Sequence, residues 1–369
     1  MKTKQFNSFL SFRRSFALSL SIFVIMLFFT SCGNSSADPS AGSAAGSTSV
    51  PTESGDEVHV ISWAHSSSTN DRLALATEKM AAELLEASGG RLVIEHYPAS
   101  QLGAEREILE GIALGSIDCA VISSGIVAGF SDAMYVTSMP YLIDEREIGW
   151  AVYDGEFGKL LGAQTEKDAG WKWLGWAENS LRMFSNAKRE IQTPNDMPGL
   201  KIRVQENDIH MQIVNDLGAS ATPVNFAELY TALQQGTVDG QENGIALTYS
   251  MGFNEVVDYL TYLPHIYDPY LVVMSRNSWD SLPPDLQALM EEYGAKYCGY
   301  EREFNKQNDE EYLVEMVNAG LQVYYPTEEQ TKMFIDATAN VETTIRAKVG
   351  DSLVDAYKTA VEEAKASLR

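Results

Sequence analysis

The sequence predicts a two-lobed α/β clamshell. Each lobe is an open sheet flanked by helices, with crossing strands and one long lobe-spanning helix. Three observations predict it. Strand-like and helix-like segments alternate as β-α-β-α-β over residues 58–122. The same alternation returns over residues 199–243. More than one later segment passes between the two blocks, including a helical region over residues 283–318. Short connections of this kind build open sheets with right-handed crossovers. Two such units enclose a cleft at their interface, a preferred place for a ligand.

The elements follow in order. Residues 58–64 are an apolar strand. Residues 71–87 form an amphipathic helix with Leu73, Ala76, Met80 and Leu84 on one stripe, stopped by Gly89 and Gly90. A strand over 91–97, a helix over 103–114 ended by Gly115, and a strand over 117–122 complete the first block. Ligands in open sheets bind beyond the carboxyl ends of the strands, which nominates His65, Ser123 and Ser124 as cleft residues. Residues 148–161 read as one helix, 171–177 as a strand with three tryptophans, and 180–185 as a separate alternating run carrying Arg182. The second block has strands over 200–204, 220–224 and 237–239, with helices over 207–217 and 226–235. Residues 251–263 read as a short helix plus strand, and 270–276 as an apolar strand. The helix over 283–318 is expected to break near Gly294–Gly299, residues 323–325 are a late strand, and 328–369 are helical. The lobes are therefore drawn as 57–180 plus about 270–320, and about 181–269 plus 321–369.

Composition narrows the function. The chain has 369 residues, enough for two domains with real cores, and 45% hydrophobic residues. Its formal net charge of −24 argues against nucleic-acid binding, which needs a basic footprint. An anion site must then be built locally, against the global field. The three cysteines, Cys32, Cys119 and Cys298, form no CxxC or CxxH pair, so no structural zinc site is expected. Cys119 and Cys298 are either a disulfide or two buried thiols; the apolar run around Cys119 favours thiols.

The N-terminus carries four basic residues, then an uncharged apolar run ending at Phe29, then Thr30–Ser31–Cys32. The apolar run is short for a membrane span. This is the plan of a secretory signal over residues 1–31, with Cys32 in the position a bacterial lipobox would lipidate. The competing reading is an ordinary signal with an incidental cysteine. Residues 32–56 are rich in Ser, Ala and Gly and read as a flexible tether to a lipid anchor.

Residues 199–249 hold the densest chemistry. Arg203 lies near the end of the alternating run Leu200–Val204, and a guanidinium matches a carboxylate with two parallel donors. No P-loop, GxGxxG, HExxH or GxSxG motif occurs. The five histidines have no metal-ligand spacing, so no cofactor and no catalysis are expected.

The blocks GLKIRV and ATPVNFAELYTALQQGTVDGQEN resemble the DctP-type solute-binding proteins of tripartite ATP-independent periplasmic (TRAP) transporters. Weaker blocks agree: SGGRLVIEHYPASQLGAEREILEGIALGSID, MPYL and LRMFSNAKREIQTPNDMPG. The likeness runs from about residue 58 to about residue 320. It implies a type II-like periplasmic-binding-protein clamshell, lying outside the cytoplasm, that captures a small organic acid. It also implies delivery to a small and a large TRAP membrane subunit, and we expect a monomer. The family's carboxylate-gripping Arg falls on Arg203 and its second Arg on Arg182. Asn243 and Phe226 fall on ligand contacts. Gln205–Glu206–Asn207 departs from the family pattern at a place expected to tune ligand choice. Structural readings compete: a surface ion pair for Arg203, a structural role for Arg182, a helix cap for Asn243, core packing for Phe226. Glu105 reads as a helix N-terminal charge rather than a ligand contact. Glu206, Asn207, Ser123 and Ser124 form a polar second wall that favours a hydroxylated sugar acid over a C4-dicarboxylate. Two alternative functions stand beside transport: an extracytoplasmic sensor for an organic acid, and a two-lobed hydrolase.

Overall fold

The computed structural model describes residues 57–368. Residues 1–56, where a signal, a lipidated Cys32 and a tether are expected, lie outside them.

The first block folds as β1 (His59–Ala64), α1 (Arg72–Ala87), β2 (Leu92–Tyr97), α2 (Glu105–Leu114), β3 (Cys119–Ser123) and the helical turn α3 (Ser124–Val127). Asp71 caps α1 by accepting from the Leu73 N–H, so the helix starts one residue after the expected position. Gly115, in the left-handed region at φ 78°, stops α2. β1 pairs in parallel with β2 and β3.

Two helices follow, α4 (Arg146–Asp154) and α5 (Glu156–Ala169), where the periodicity suggested one. Gly155 takes extended backbone at the junction, and a Cβ on Gly158 would stand 1.8 Å from the Tyr153 carbonyl oxygen. This close turn needs glycine. β4 (Lys172–Asn186) is then one 15-residue strand rather than two pieces. The second block comprises β5 (Lys201–Val204), α6 (Asp208–Asp216), β6 (Ser220–Pro223), a 3-10 helix over Phe226–Glu228, α7 (Leu229–Gln234), β7 (Gly240–Asn243) and α8 (Ile245–Ser250). The strand expected at 237–239 is β7, and it lies in the DGQEN segment itself. A Cβ on Gly240 would meet the Ser185 carbonyl at 2.4 Å, so glycine lets β7 close onto β4.

β8 (Tyr259–Met274) has 16 residues and runs antiparallel to β4 along its length. This pair is the spine of one mixed sheet in the order β2-β1-β3-β8-β4-β7-β5-β6. β3 pairs with the Tyr270–Met274 end of β8. β7 pairs with the Met183–Asn186 end of β4, and β9 (Gln322–Tyr324) pairs with Tyr259–Thr261 of β8. The two lobes are therefore opposite ends of a shared strand pair. Its register shifts at Trp173/Gly175, Glu178/Ser180 and Arg182/Phe184.

The helices α9 (Arg276–Ser281) and α10 (Pro284–Asn318) precede β9. The 35-residue α10 is unbroken, spanning about 52 Å at 1.5 Å per residue. The break expected near Gly294 does not occur. A Cβ on Gly294 would stand 3.0 Å from the Leu174 Cβ, so this glycine serves close helix–sheet approach instead. Leu286, Met290 and Tyr297 bury into the core around β1 and α1, while Met316 joins the core around α7 and α8. The C-terminal stretch divides into α11 (Glu328–Ala337), α12 (Val341–Val349) and α13 (Asp351–Leu368). α13 packs on α4, with the Tyr153 and Tyr357 hydroxyls 3.2 Å apart, so the C-terminal helices contact the first lobe as well as the second. Cys119 and Cys298 are free, buried thiols in one core cluster, and burial pushes both thiol pKa values up.

Candidate ligand-binding cavity between the lobes

The strand ends converge on a cavity with about 480 Å³ of empty space, counting its mouth. Arg203 reaches it because β5 alternates: Ile202 and Val204 are wholly buried in the core, which turns the intervening side chain to the other face. Arg203 is 3% exposed. Its Nε donates to the Val224 carbonyl at 2.8 Å, and its Cζ lies 5.8 Å from the centre of the Phe226 ring. Its Nη1 is buried with no partner among the described residues, and no carboxylate pairs with it. Burial, and then the charge of Arg182, bring Arg203 down to about 10, against the pull of Glu242, Glu105 and Glu206. It remains a cation at neutral pH.

Phe226, Asn243, Glu206 and Ser123 line the same cavity. Asn225 caps the 3-10 helix that presents Phe226, whose ring meets Phe253 edge-on at 5.8 Å. Asn243 ends β7 and donates to Gln241 Oε1 at 2.5 Å. Glu206 sits at the mouth, 4.0 Å from Arg106 of α2. Ser123 ends β3; its hydroxyl donates to Asp268 at 2.9 Å and accepts from Gln205 at 2.7 Å.

Arg182 and His65 do not line the cavity. Arg182 is fully buried and satisfied by Glu242, through both Nε and Nη2, and by Asp268 at 2.9 Å. Burial alone would favour the neutral acid at Glu242. Arg182, with His210 and His265 beside it, outweighs that and holds the carboxyl well below the usual range. Charge balance is therefore local: two carboxylates pair with Arg182, and none pairs with Arg203 among the described residues. His65 is turned into the protein, its Nε2 2.8 Å from the Nε2 of His96. Its neighbour Ser66 lines the cavity instead.

Asn207 and Ser124, expected in the polar wall, have other work. Asn207 caps α6 and donates to the Gly125 carbonyl at 2.9 Å. Ser124 donates to Asp268 at 2.6 Å.

The structure adds cavity residues the sequence did not reveal. Glu105 lies here, 9% exposed, accepting from the Ser66 hydroxyl at 2.9 Å. Its signal was present in its position as the first residue of α2, but a helix-start glutamate usually faces water. Asn179 sits in the Glu178/Ser180 irregularity of β4; its Nδ2 donates to Asp268 at 2.8 Å and its Oδ1 is buried without a partner. Tyr270 and Leu247 complete the apolar wall. No histidine or cysteine among the described residues lines the cavity. Among the described residues no cluster suits a metal ion, and no helix is long and apolar enough to cross a membrane.

The likeness to known proteins extends over most of the chain. Residues 63–348 match the family described as bacterial extracellular solute-binding protein, family 7 (DctP). The 2,3-diketo-L-gulonate-binding periplasmic protein YiaO of Escherichia coli is 31% identical over 280 residues, covering 76% of this chain and 84% of that one. The C4-dicarboxylate-binding periplasmic protein DctP of Rhodobacter capsulatus is 30% identical over 279 residues, covering 75% and 83%. The crystal structure of the sugar acid binding protein DctPAm of Advenella mimigardefordensis in complex with galactonate superposes with a TM-score of 0.81. It is 26% identical, covering 84% of this chain and 99% of that one. The chain belongs to the DctP family, the bacterial extracellular solute-binding proteins of family 7.

Proposed function

We propose that this chain captures a small organic acid outside the cytoplasm and delivers it to the small and large membrane subunits of a TRAP transporter. One observation carries the reading. Arg203 presents a buried, charged Nη1, without a partner among the described residues, to a cavity whose lining carboxylates, Glu105 and Glu206, form no ion pair with it. An unsatisfied buried donor costs about 1–3 kcal/mol, and more when charged. A ligand carboxylate removes that deficit by accepting two parallel N–H bonds. Phe226 packs against the guanidinium, and Asn243 supplies a further polar contact.

The cavity also carries acceptors awaiting donors. Asn179 Oδ1 and Gln205 Oε1 are buried and unpartnered among the described residues. These groups suit ligand hydroxyls, which favours a hydroxylated acid over a bare dicarboxylate. The relatives differ in the same respect, one named for diketogulonate and another for C4-dicarboxylates, with galactonate in the solved structure.

The reading is one of capture without turnover by a monomer. Closure of the lobes follows from ligand contacts that exist only in the closed form. Lipidation at Cys32, with residues 32–56 as the tether, would hold the binding lobes beside the membrane. The test is a thermal-shift screen against organic acids, followed by calorimetry on the best hit. A ligand at 100 times its Kd stabilises by about 2.7 kcal/mol. Retention of full affinity in Arg203→Ala would refute the site.

A further inference from the structure

Glu105 and Arg203 line one cavity, and neither has a charged partner of its own among the described residues. Glu105 is 9% exposed, and its hydrogen-bond partner is neutral, the Ser66 hydroxyl. We infer that Glu105 makes ligand capture proton-linked: an anion entering beside Arg203 drives a proton from solvent onto the Glu105 carboxyl. Glu105 then meets the ligand as a hydrogen-bond donor instead of a second negative charge. The inference rests on reading the cavity as an acid site.

The surrounding charges decide the direction. From β5, Arg203 favours the ionised carboxyl. From β8, Asp268 opposes it. On its own helix the N-terminus of α2 favours ionisation, while Arg106 is half-exposed and shared with Glu110 at 3.6 Å and with Glu206 at 4.0 Å. Glu206 itself adds negative charge at the mouth. On β4, Arg182 is already matched by Glu242 and Asp268. Tyr270 on β8 and the β3 and α3 hydroxyls, Ser123 and Ser124, are neutral. Burial outweighs the favourable contacts and pushes the free carboxyl up to about 7. A ligand carboxylate on Arg203 cancels the one nearby unmatched positive charge and adds a negative one. Both changes raise the proton affinity further. Linkage is reciprocal, so the proton must tighten the ligand as much as the ligand tightens the proton.

The experiment is titration calorimetry on the whole chain with D-galactonate and, separately, succinate, in two buffers of different ionisation enthalpy. At about pH 8 each bound anion should take up close to one proton, and at about pH 6 close to none. Above about pH 7 the Kd should weaken roughly tenfold per pH unit, until the bound-state pKa is passed. Glu105→Gln should bind with no proton uptake and no such slope. A wild-type chain that binds at about pH 8 without proton uptake overturns the inference, as does uptake that persists in Glu105→Gln. Failure of the wild-type chain to bind any acid of the screen at either pH overturns the acid site as well.

Discussion

The Nδ2 of Asn207 donates to the carbonyl oxygen of Gly125 across 2.9 Å, and this bond joins the second lobe to the first beside the cavity. Gln205 makes a parallel crossing to Ser123 at 2.7 Å. Both contacts between the lobes at this edge of the cavity are thus made by the Gln205–Asn207 segment.

Separating the two roles of Asn207 tests the crossing. Its Oδ1 caps α6 by accepting from Ile209 and His210, while Nδ2 makes the crossing. Asn207→Asp keeps the cap and sets a carboxylate against the Gly125 oxygen. We predict ligand affinity weakened by at least about tenfold, roughly the worth of one hydrogen bond. The melting temperature of the ligand-free protein should barely move. Asn207→Ala should lower both, since losing an N-cap costs about 1 kcal/mol.

Gly125→Ala approaches the same contact from the other side. The added Cβ would stand 1.8 Å from Gln205 Oε1, so the Gln205 side chain must swing away and abandon Ser123. The expected outcome is faster ligand dissociation, read by stopped-flow fluorescence, with association little changed.

The two arginines should part company on mutation. Arg203→Ala removes a buried cation with no carboxylate partner, so we predict little loss of stability but an affinity fall of about 2–5 kcal/mol, upwards of thirtyfold. Arg182→Ala leaves Glu242 and Asp268 buried without their cation, a loss of about 3–5 kcal/mol in folding. Denaturant unfolding of both variants checks this. Equal destabilisation would refute the assigned division of labour.

His65 predicts an acid limb. Burial, and then its neighbour His96, drive the imidazole down to about 3 from 6.5. In the unfolded chain the ring binds a proton below 6.5, whereas in the folded chain it does so only below about 3. Between those values the unfolded state holds the extra proton, so stability is full above 6.5 and falls as pH drops toward 3. His65→Gln should flatten this limb in acid-unfolding curves.

Much of this site was legible in the sequence, and the exceptions share a cause. Arg203 could be read because strand alternation and a specific block coincide within five residues. Asn243 and Phe226 came with the same block. Arg182 could be located but not understood, because its partners Glu242 and Asp268 lie 60 and 86 residues away. Glu105 looked like an ordinary helix-start charge, and only packing shows it sealed in a cavity. Asn179 depends on a strand irregularity that no residue pattern announces. The same holds for the fold: Gly294 is a helix breaker by propensity, yet α10 runs through it because β4 needs the missing side chain's space.

The spine of the sheet has a mechanical consequence. β4 and β8 run uncut from one lobe to the other, and α10 lies alongside them, so no slack loop in these elements serves as a pivot. Flexure must concentrate where the ladder is already interrupted, at the irregularities of β4. One of these carries Asn179 into the cavity wall, and another lies next to Arg182. The molecule is therefore built like a leaf spring notched under its own load. The part that yields also feels the cargo, and a substitution there should alter stiffness and grip together.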